Sequence, residues 1–173
     1  MNETLKVLQE RRSIRKYRPE QITDQELNAI LEAGTWAATA KNLQTPVMVV
    51  VQDKETIARM SALNAEIMGA AGTDPFYGAP TVVVVLADGT AANWIQDGSL
   101  VMGNLMTAAA ATGIGSCWIN RAMELFDSPE GKELLRQWGL PETLRGVGNC
   151  ILGYPDGPAP AAKPRKEGWI IRP

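Results

Sequence analysis

The sequence contains no histidine among its 173 residues, and this absence excludes a large part of ordinary enzyme chemistry. A Ser-His-Asp triad, a histidine-ligated zinc ion and a histidine general base all require that side chain. The two cysteines form no Cys-x-x-Cys pattern, so nothing points to a cysteine-based metal site either. An enzyme built from this chain would take its reactivity from a cofactor, and we predict neither a metal site nor a catalytic side chain.

The sequence predicts neither a membrane span nor a leader segment. No run approaches the roughly 18 residues needed to span a bilayer, and the first residues lack a basic stretch followed by an apolar one. Cys117 and Cys150 stand far apart in the chain and are typical of small buried side chains in a reducing compartment. We therefore predict a cytoplasmic protein with no membrane partner.

The composition indicates a protein with a packed core, because 45% of the residues are hydrophobic and only 21% are charged. At this length we predict a single domain over residues 1–173. Within it, 155–173 is expected to be an extended tail, rich in Pro, Ala and Lys, whose apolar tip docks on a surface such as a partner subunit. The net charge of −2 argues against nucleic acid as the main partner.

Hydrophobic periodicity predicts helices that alternate with short strands. The predicted helices cover 4–10, 23–38, 53–68, 91–112 and 129–138. The predicted strands cover 47–51, 81–86 and 147–152, with a further strand entered through the turn at 113–119. Thr23 and Glu26 form a capping-box signature at the start of the second helix. The unbroken apolar run at 47–51 predicts a strand that is buried on both faces.

The most distinctive segment is the basic run over residues 11–18, Arg-Arg-Ser-Ile-Arg-Lys-Tyr-Arg. Arginine forks and a serine hydroxyl can hold the oxygens of a phosphate, and the cationic excess is local in a chain of net charge −2. If the first helix continues into the run, Arg11 and Arg15 share one helical face. On spacing alone, a solvated basic surface or a nucleic-acid-binding arm is an equally good interpretation.

Two further segments have both a functional and an ordinary interpretation. The amides of Asn42 and Gln44, in the polar turn at 39–46, could bind the edge of a polar heterocycle, or the turn could be a simple connector. The cluster at 163–166 could complete a phosphate site or be a solvated patch. The glycines at 113 and 115 do not make a dinucleotide fingerprint, because the third glycine is missing and a strand follows.

Five motifs in a fixed order make the chain resemble the FMN-dependent nitroreductase family. They are Arg11–Tyr17, Ala38–Gln44, Gly78–Pro80, Gly113–Ile119, and Leu152–Pro155 followed by Lys163–Lys166. The resemblance implies an α+β fold in which helices flank a mixed central β-sheet. It also implies a homodimer with FMN at the subunit interface and a C-terminal segment that extends to the partner subunit.

The same resemblance implies three groups of FMN-binding residues. The group at the phosphate and ribityl chain would be Arg11, Arg12, Ser13 and Arg15, with Lys163 and Arg165 closing the phosphate site. The group that meets the flavin from the other subunit would be Thr39, Asn42 and Gln44. The group along the ring would be Gly115, Trp118, Ile119 and Asn120. The glycine-rich loop at 69–78 could cover the flavin.

The activity that the resemblance implies is that of an FMN-dependent NAD(P)H oxidoreductase. NADH or NADPH would give a hydride to N5 of FMN, and an electron-poor acceptor such as a nitroaromatic compound or a quinone would then take it, in ping-pong turnover. Two alternatives remain open at this point. One is a flavin carrier or sensor without enzymatic activity, and the other is a nucleic-acid-binding domain that uses the basic run, against which the acidic net charge argues.

Overall fold

The computed structural model of the chain describes residues 2–173, in which six α-helices and four β-strands alternate. The helices are α1 (Glu3–Glu10), α2 (Asp24–Thr35), α3 (Lys54–Ile67), α4 (Trp94–Ala111), α5 (Ala122–Asp127) and α6 (Pro129–Gln137). The strands are β1 (Val47–Val51), β2 (Thr81–Asp88), β3 (Gly115–Ile119) and β4 (Leu144–Gly153). The predicted capping box of α2 is present, whereas α5 was not predicted from the sequence.

The four strands form one sheet in the order β1-β2-β4-β3, and each neighbouring pair is antiparallel. A register shift between Val85 and Leu86 marks a bulge opposite Val147. The parallel element of the sheet is a single bridge between Ser13 and Ser116 at the outer edge of β3. The predicted mixture of strand directions is thus confined to this bridge, and the α+β class is confirmed.

Helices cover both faces of the sheet, and each face has its own core. On one face, α3, α5 and α6 bury residues such as Met60, Phe126 and Leu135 against alternate positions of β2 and β4. On the other face, α2 and α4 bury residues such as Ile30 and Leu105 against the intervening positions. The period of two along the strands therefore divides the apolar residues of the sheet between two cores.

Two glycines allow helices to approach their neighbours closely. A Cβ at Gly98 in α4 would lie 2.5 Å from Cγ2 of Val147, so α4 packs tightly over the bulge of β4. A Cβ at Gly131 in α6 would lie 2.0 Å from the carbonyl oxygen of Leu125, a backbone atom that cannot move aside easily. The turn between α5 and α6 consequently depends on a residue without a side chain.

The edge of the sheet and the C-terminus are less enclosed than the centre. In β1, Val50 is 37% exposed, so the prediction of a strand buried on both faces is wrong for β1, which lies at the sheet edge. Residues 156–173 form no helix or strand and are exposed throughout. None of the helices in the described part of the chain has the length and apolar character required to cross a membrane.

Candidate functional site

The basic run lies along the outer edge of β3 and is not helical. α1 ends at Glu10, and the Ile14 N–H then donates to the carbonyl oxygen of Ser116 at 2.9 Å. Further on, the Arg18 N–H donates to the carbonyl oxygen of Tyr154 at 2.9 Å. The hypothesis that Arg11 and Arg15 share a helical face is therefore wrong, because the chain is extended where it pairs with the sheet.

Part of the Arg11 guanidinium is buried without a hydrogen-bond partner. Its Nη1 is buried and has no hydrogen-bond acceptor within the described residues. Arg12 differs, because its Nη1 donates to the carbonyl oxygens of Gln9 and Arg11, each at 2.8 Å. A buried, charged donor without an acceptor is unfavourable. The Arg11 guanidinium is therefore suited to donate a hydrogen bond to an anion.

A cavity of about 320 Å³ opens beside β3, and we call it the β3 cavity. It contains four of the predicted site residues, namely Arg15, Trp118, Ile119 and Asn120. The other lining residues are Met68, Pro75, Tyr77, Cys117 and Arg121. Since Pro75 and Tyr77 belong to the loop at 69–78, that loop forms part of the wall.

The lining of the β3 cavity offers no strong acid or base. It includes arginine guanidinium groups, a tyrosine and a cysteine, but no carboxylate and no lysine. Within residues 2–173, no cluster of His, Cys, Asp and Glu could hold a metal ion. The cavity is thus suited to holding a reactive group that comes from elsewhere, with arginines supplying positive charge.

Gly115 has a packing role next to the cavity. A Cβ at this position would lie 3.0 Å from Cγ2 of Ile14 and 3.1 Å from the carbonyl oxygen of Gly153. The absence of a side chain therefore lets the basic run lie close to β3. Tyr17 helps to fix the run, since its hydroxyl donates to the carbonyl oxygen of Ile14 at 2.7 Å and burial raises its pKa.

The turn at 39–44 is a separate part of the molecule. Thr39 and Gln44 line a different cavity, of about 160 Å³, between α2, β1 and α4. Lys41, Asn42 and Gln44 all have positive φ, a conformation that costs a residue with a side chain about 1 kcal/mol. This turn and the β3 cavity form two distinct sites within one chain.

Hydrogen bonds maintain the shape of this turn. The Thr39 hydroxyl accepts from the Gln44 N–H at 3.1 Å, and the Gln44 amide donates to Oδ1 of Asn42 at 3.0 Å. Oδ1 of Asp97, a buried residue in the first turn of α4, accepts from the Ala40 N–H at 3.0 Å. The strained backbone is thus fixed to the core of the protein.

Lys163 and Arg165 are not brought to the basic run. In the described chain their side chains form no hydrogen bond or ion pair with residues 11–18, and Nη2 of Arg165 donates to the carbonyl oxygen of Lys163 at 2.9 Å. Both residues lie in the exposed tail. The structure therefore gathers the predicted residues into three groups: the sheet edge with its cavity, the turn, and the tail.

Sequence reasoning missed polar residues close to the cavity. Asn64 in α3 is fully buried, its Oδ1 has no partner, and its Nδ2 donates to Sδ of the cavity residue Met68 at 3.4 Å. Asn149, which pairs with Ile119 across β3 and β4, is also fully buried with an unpaired amide. An asparagine on the apolar face of α3, one turn after Met60, was the available signal.

The cysteines are not part of a redox pair. Cys117 belongs to the core on one face of the sheet and Cys150 to the core on the other face, and both are free thiols. Burial raises the pKa of Cys150 to about 12, so this thiol stays protonated at neutral pH. The prediction that both cysteines are small buried side chains is confirmed.

Comparison with known proteins identifies the class to which this fold and site belong. The sequence profile of the nitroreductase family matches residues 8–154, so the chain belongs to the nitroreductase family. The resemblance inferred from the five motifs is confirmed by this match.

Individual relatives agree with the family assignment. A protein of Archaeoglobus fulgidus, provisionally named NADH dehydrogenase/NAD(P)H nitroreductase, is 34% identical over 161 residues, which are 90% of this chain and 87% of the relative. The NADPH-flavin oxidoreductase of Vibrio harveyi is 30% identical over 99% of this chain and 73% of its own length. A crystal structure of a Bacteroides fragilis nitroreductase with bound FMN superposes with a TM-score of 0.89 at 32% identity, covering 99% of both chains.

The residues of this chain fit an FMN molecule at the β3 cavity. The buried Nη1 of Arg11 lacks an acceptor of the kind that a phosphate oxygen provides. The cavity beside β3 has an apolar lining at Met68, Pro75 and Ile119, which suits a flat ring. It is open on one side, so one chain alone supplies only part of the enclosure that a flavin needs.

Proposed function

We propose that the chain is an FMN-dependent NAD(P)H oxidoreductase that reduces an electron-poor small molecule such as a nitroaromatic compound or a quinone. The observation that carries this proposal is the unpaired, buried guanidinium nitrogen of Arg11, in the same basic run whose Arg15 lines a cavity without carboxylate or lysine side chains. Such a site requires an anion and a source of reactivity, and FMN provides both. Membership of the nitroreductase family supports the same conclusion.

The roles of the residues follow from their hydrogen-bonding capacity. Arg11 donates to the FMN phosphate, while Ser13 and Arg15 bind the phosphate and the ribityl chain beside it. Arg12 contributes charge, because its Nη1 is already engaged with backbone carbonyls. The ring lies along Gly115 and the segment Trp118, Ile119 and Asn120, where backbone groups can bind its polar edge.

The working form that we propose is a homodimer. The turn of a second copy, with its Thr39, Asn42 and Gln44, closes the open side of the β3 cavity, and the tail with Lys163 and Arg165 completes the phosphate site. Support comes from apolar side chains left in solvent, including Trp36 beside the turn at 78% exposure and Trp169 in the tail at 68%. Within a single chain these side chains are not covered by the protein core.

The chemistry needs little from the side chains. When bound, FMN supplies hydride transfer between NADH or NADPH and the acceptor. The chain holds the cofactor, excludes bulk water from one face and sets the electrostatic environment through Arg15 and neighbouring backbone groups. We place this work on a small molecule in the cytoplasm and not on nucleic acid, in keeping with two free buried thiols and a net charge of −2.

The visible absorption spectrum of the purified protein, before and after anaerobic addition of NADH or NADPH, tests the proposal. Flavin bands that bleach are the expected result, since they report the cofactor and its reduction together. Bands that persist with both nucleotides would indicate a flavin carrier or sensor instead. A protein without bands after incubation with FMN would contradict the proposal altogether.

A pair of variants tests the role of the basic run. Arg11→Ala is expected to lose FMN affinity by at least tenfold, because it removes a charge-assisted hydrogen bond to phosphate. Its free energy of unfolding without FMN should not fall, since the deleted nitrogen has no partner. Arg18→Ala is the matched control, because this exposed arginine in the same run has no assigned contact with FMN. Equal FMN affinity in the two variants would contradict the assignment of Arg11.

A further inference from the structure

Arg121 occupies a backbone position that does not suit it. The residue lies between β3 and α5 with φ 72° and ψ 10°, in the left-handed region. A residue with a Cβ is strained there, whereas glycine adopts the same conformation freely. Such strain in a residue other than glycine calls for a compensating role, and it is most common at functional sites.

The contacts of Arg121 within the chain do not provide that role. Arg121 is the N-cap residue of α5, but its side chain makes no capping hydrogen bond. Its assigned side-chain partner is Glu124, with Nη1 and Oε1 2.8 Å apart. Because the two side chains are 46% and 38% exposed, the pair contributes little to stability.

The location of Arg121 suggests what the role is. Arg121 lines the β3 cavity together with Arg15, which we assign to FMN, and no carboxylate lines the cavity to neutralise them. Along the chain, Asn120 alone lies between Arg121 and Ile119, an apolar residue of the cavity lining. The cavity therefore has a second cation that the binding of the FMN phosphate does not use.

We propose that Arg121 is a specificity-determining residue that binds an anionic group, phosphate or carboxylate, on the substrate that enters the β3 cavity. The inference rests on the proposed function, because the substrate is the one that approaches FMN. No bond is made or broken at Arg121. Its guanidinium exchanges one carboxylate partner, Glu124, for the anion of the substrate.

Glu124 orients the Arg121 side chain while the cavity is without substrate. The hydrogen bond from Arg121 holds the pKa of Glu124 below its usual range, so the carboxylate is ionised at neutral pH. An exposed ion pair of this kind breaks readily. A substrate phosphate or carboxylate can accept two parallel N–H donors from the guanidinium and so replace Glu124.

Two kinds of molecule could carry the anion, and two pairs of probes distinguish them. 2′,5′-ADP carries the 2′-phosphate that distinguishes NADPH from NADH, and 5′-AMP is the same nucleotide without that phosphate. 4-Nitrobenzoate carries a carboxylate on an electron-poor ring, and 4-nitrobenzamide is its neutral counterpart. Dissociation constants for all four are measured by calorimetry on the flavin-loaded protein, so the readout does not depend on turnover.

The decisive variant is Arg121→Gly, which removes the cation and relieves the backbone strain. We expect it to fold at least as well as the wild type and to bind the anionic member of one pair about tenfold more weakly. The member that lacks the 2′-phosphate or the carboxylate should change less than twofold. A phosphate effect identifies the donor nucleotide as the source of the anion, and a carboxylate effect identifies the acceptor.

Two further variants sharpen the result. Glu124→Gln leaves Arg121 without its counter-ion and should tighten binding of the same anionic probe. Arg59→Gln removes an exposed cation of α3 outside the β3 cavity and should change the binding of neither pair of probes.

The inference would be overturned if the wild-type protein bound neither anionic probe. It would also be overturned if Arg121→Gly weakened both members of each pair equally. Flavin content and bleaching of the wild type, measured separately, show whether the proposed function itself fails.

Discussion

The two helical layers of this protein end in different surfaces. We call α3, α5 and α6 the α6 layer, and α1, α2 and α4 the α4 layer, since α1 and α2 both pack against α4. The α6 layer carries the ion pairs Arg121–Glu124, Arg136–Glu133, Arg136–Glu142 and Arg145–Asp127. The α4 layer leaves apolar side chains in solvent, namely Leu5, Leu8, Trp36, Ile95 and Leu100.

This difference indicates that the two layers have different roles, the α6 layer in folding of the single chain and the α4 layer in association with a second chain. The outer surface of the α6 layer carries four of the six ion pairs found in the described residues, and its exposed apolar side chains include Ile67 and Met123. The outer surface of the α4 layer has the exposed apolar side chains that are typical of a protein–protein interface in the absence of its partner. The exposed residues Ile95 and Leu100 of α4 favour a dimer contact on this helix.

The largest effect should come from the tail. We expect a chain that ends at Pro155 to dimerise about a thousandfold more weakly, or about 4 kcal/mol, because it lacks Trp169, Ile170 and Ile171. Sedimentation velocity over a concentration series measures the change. A full-length chain with serine at those three positions is the control for length, and it should be weakened to a similar extent. A truncated chain that dimerises like the wild type would refute the docking of the tail.

The next largest effect should come from a substitution that destabilises the α6 layer and leaves dimerisation unchanged. Gly131→Ala forces a Cβ against the carbonyl oxygen of Leu125, and we expect the free energy of unfolding to fall by about 3 kcal/mol. Urea denaturation measures it, with Glu130→Ala on the neighbouring exposed residue as the control. The oligomeric state of the folded fraction should not change. Normal stability in Gly131→Ala would show that the α5–α6 turn adapts.

A smaller effect compares the two layers directly. Leu100 in α4 is 50% exposed and Met123 in α5 is 37% exposed, so each can be exchanged for glutamine with little change in folding. We expect Leu100→Gln to weaken dimerisation about tenfold, from loss of apolar burial, and Met123→Gln to leave it unchanged. Sedimentation velocity again gives the answer. Equal behaviour of the two variants would remove the distinction between the layers.

The smallest effect concerns pH and the ion pair between Arg145 and Asp127. Hydrogen bonding from Arg145 lowers the pKa of Asp127, so the stabilisation is present above pH 4 and is lost as the pH falls through the lowered value. Since both side chains are 36% exposed, it amounts to less than about 1 kcal/mol. Asp127→Asn should therefore differ from the wild type at pH 7 and much less at pH 3 in urea denaturation. A constant difference would exclude the ion pair as the cause.

The sequence was sufficient to predict most of the elements. β1 was predicted with its observed bounds, 47–51, because a short apolar run rich in valine has few alternative structures. The start of α2 followed from the Thr23–Glu26 capping box. α5 could not be predicted, because six residues that begin at a left-handed arginine carry no cap and no periodicity, and its contact with Gly146 is a tertiary one.

The candidate site was predictable only in part. Trp118, Ile119 and Asn120 follow one another in the chain, so a local motif found them together. The position of Arg11 depends on the pairing of the basic run with β3, more than 100 residues later in the sequence, which no local pattern encodes. Arg121 belongs to no repeated spacing, and only packing brings it to the cavity.

The unpaired Nη1 of Arg11 has a consequence for the rate at which the protein is degraded in a cell. If Arg11 binds the FMN phosphate as we propose, a chain without FMN keeps a buried guanidinium nitrogen without an acceptor, and its folded state is less favoured than that of the loaded chain. Proteases act on the molecules that open most often, so newly made protein without cofactor is removed faster. The amount of this protein would then follow the supply of FMN, with no change in its synthesis.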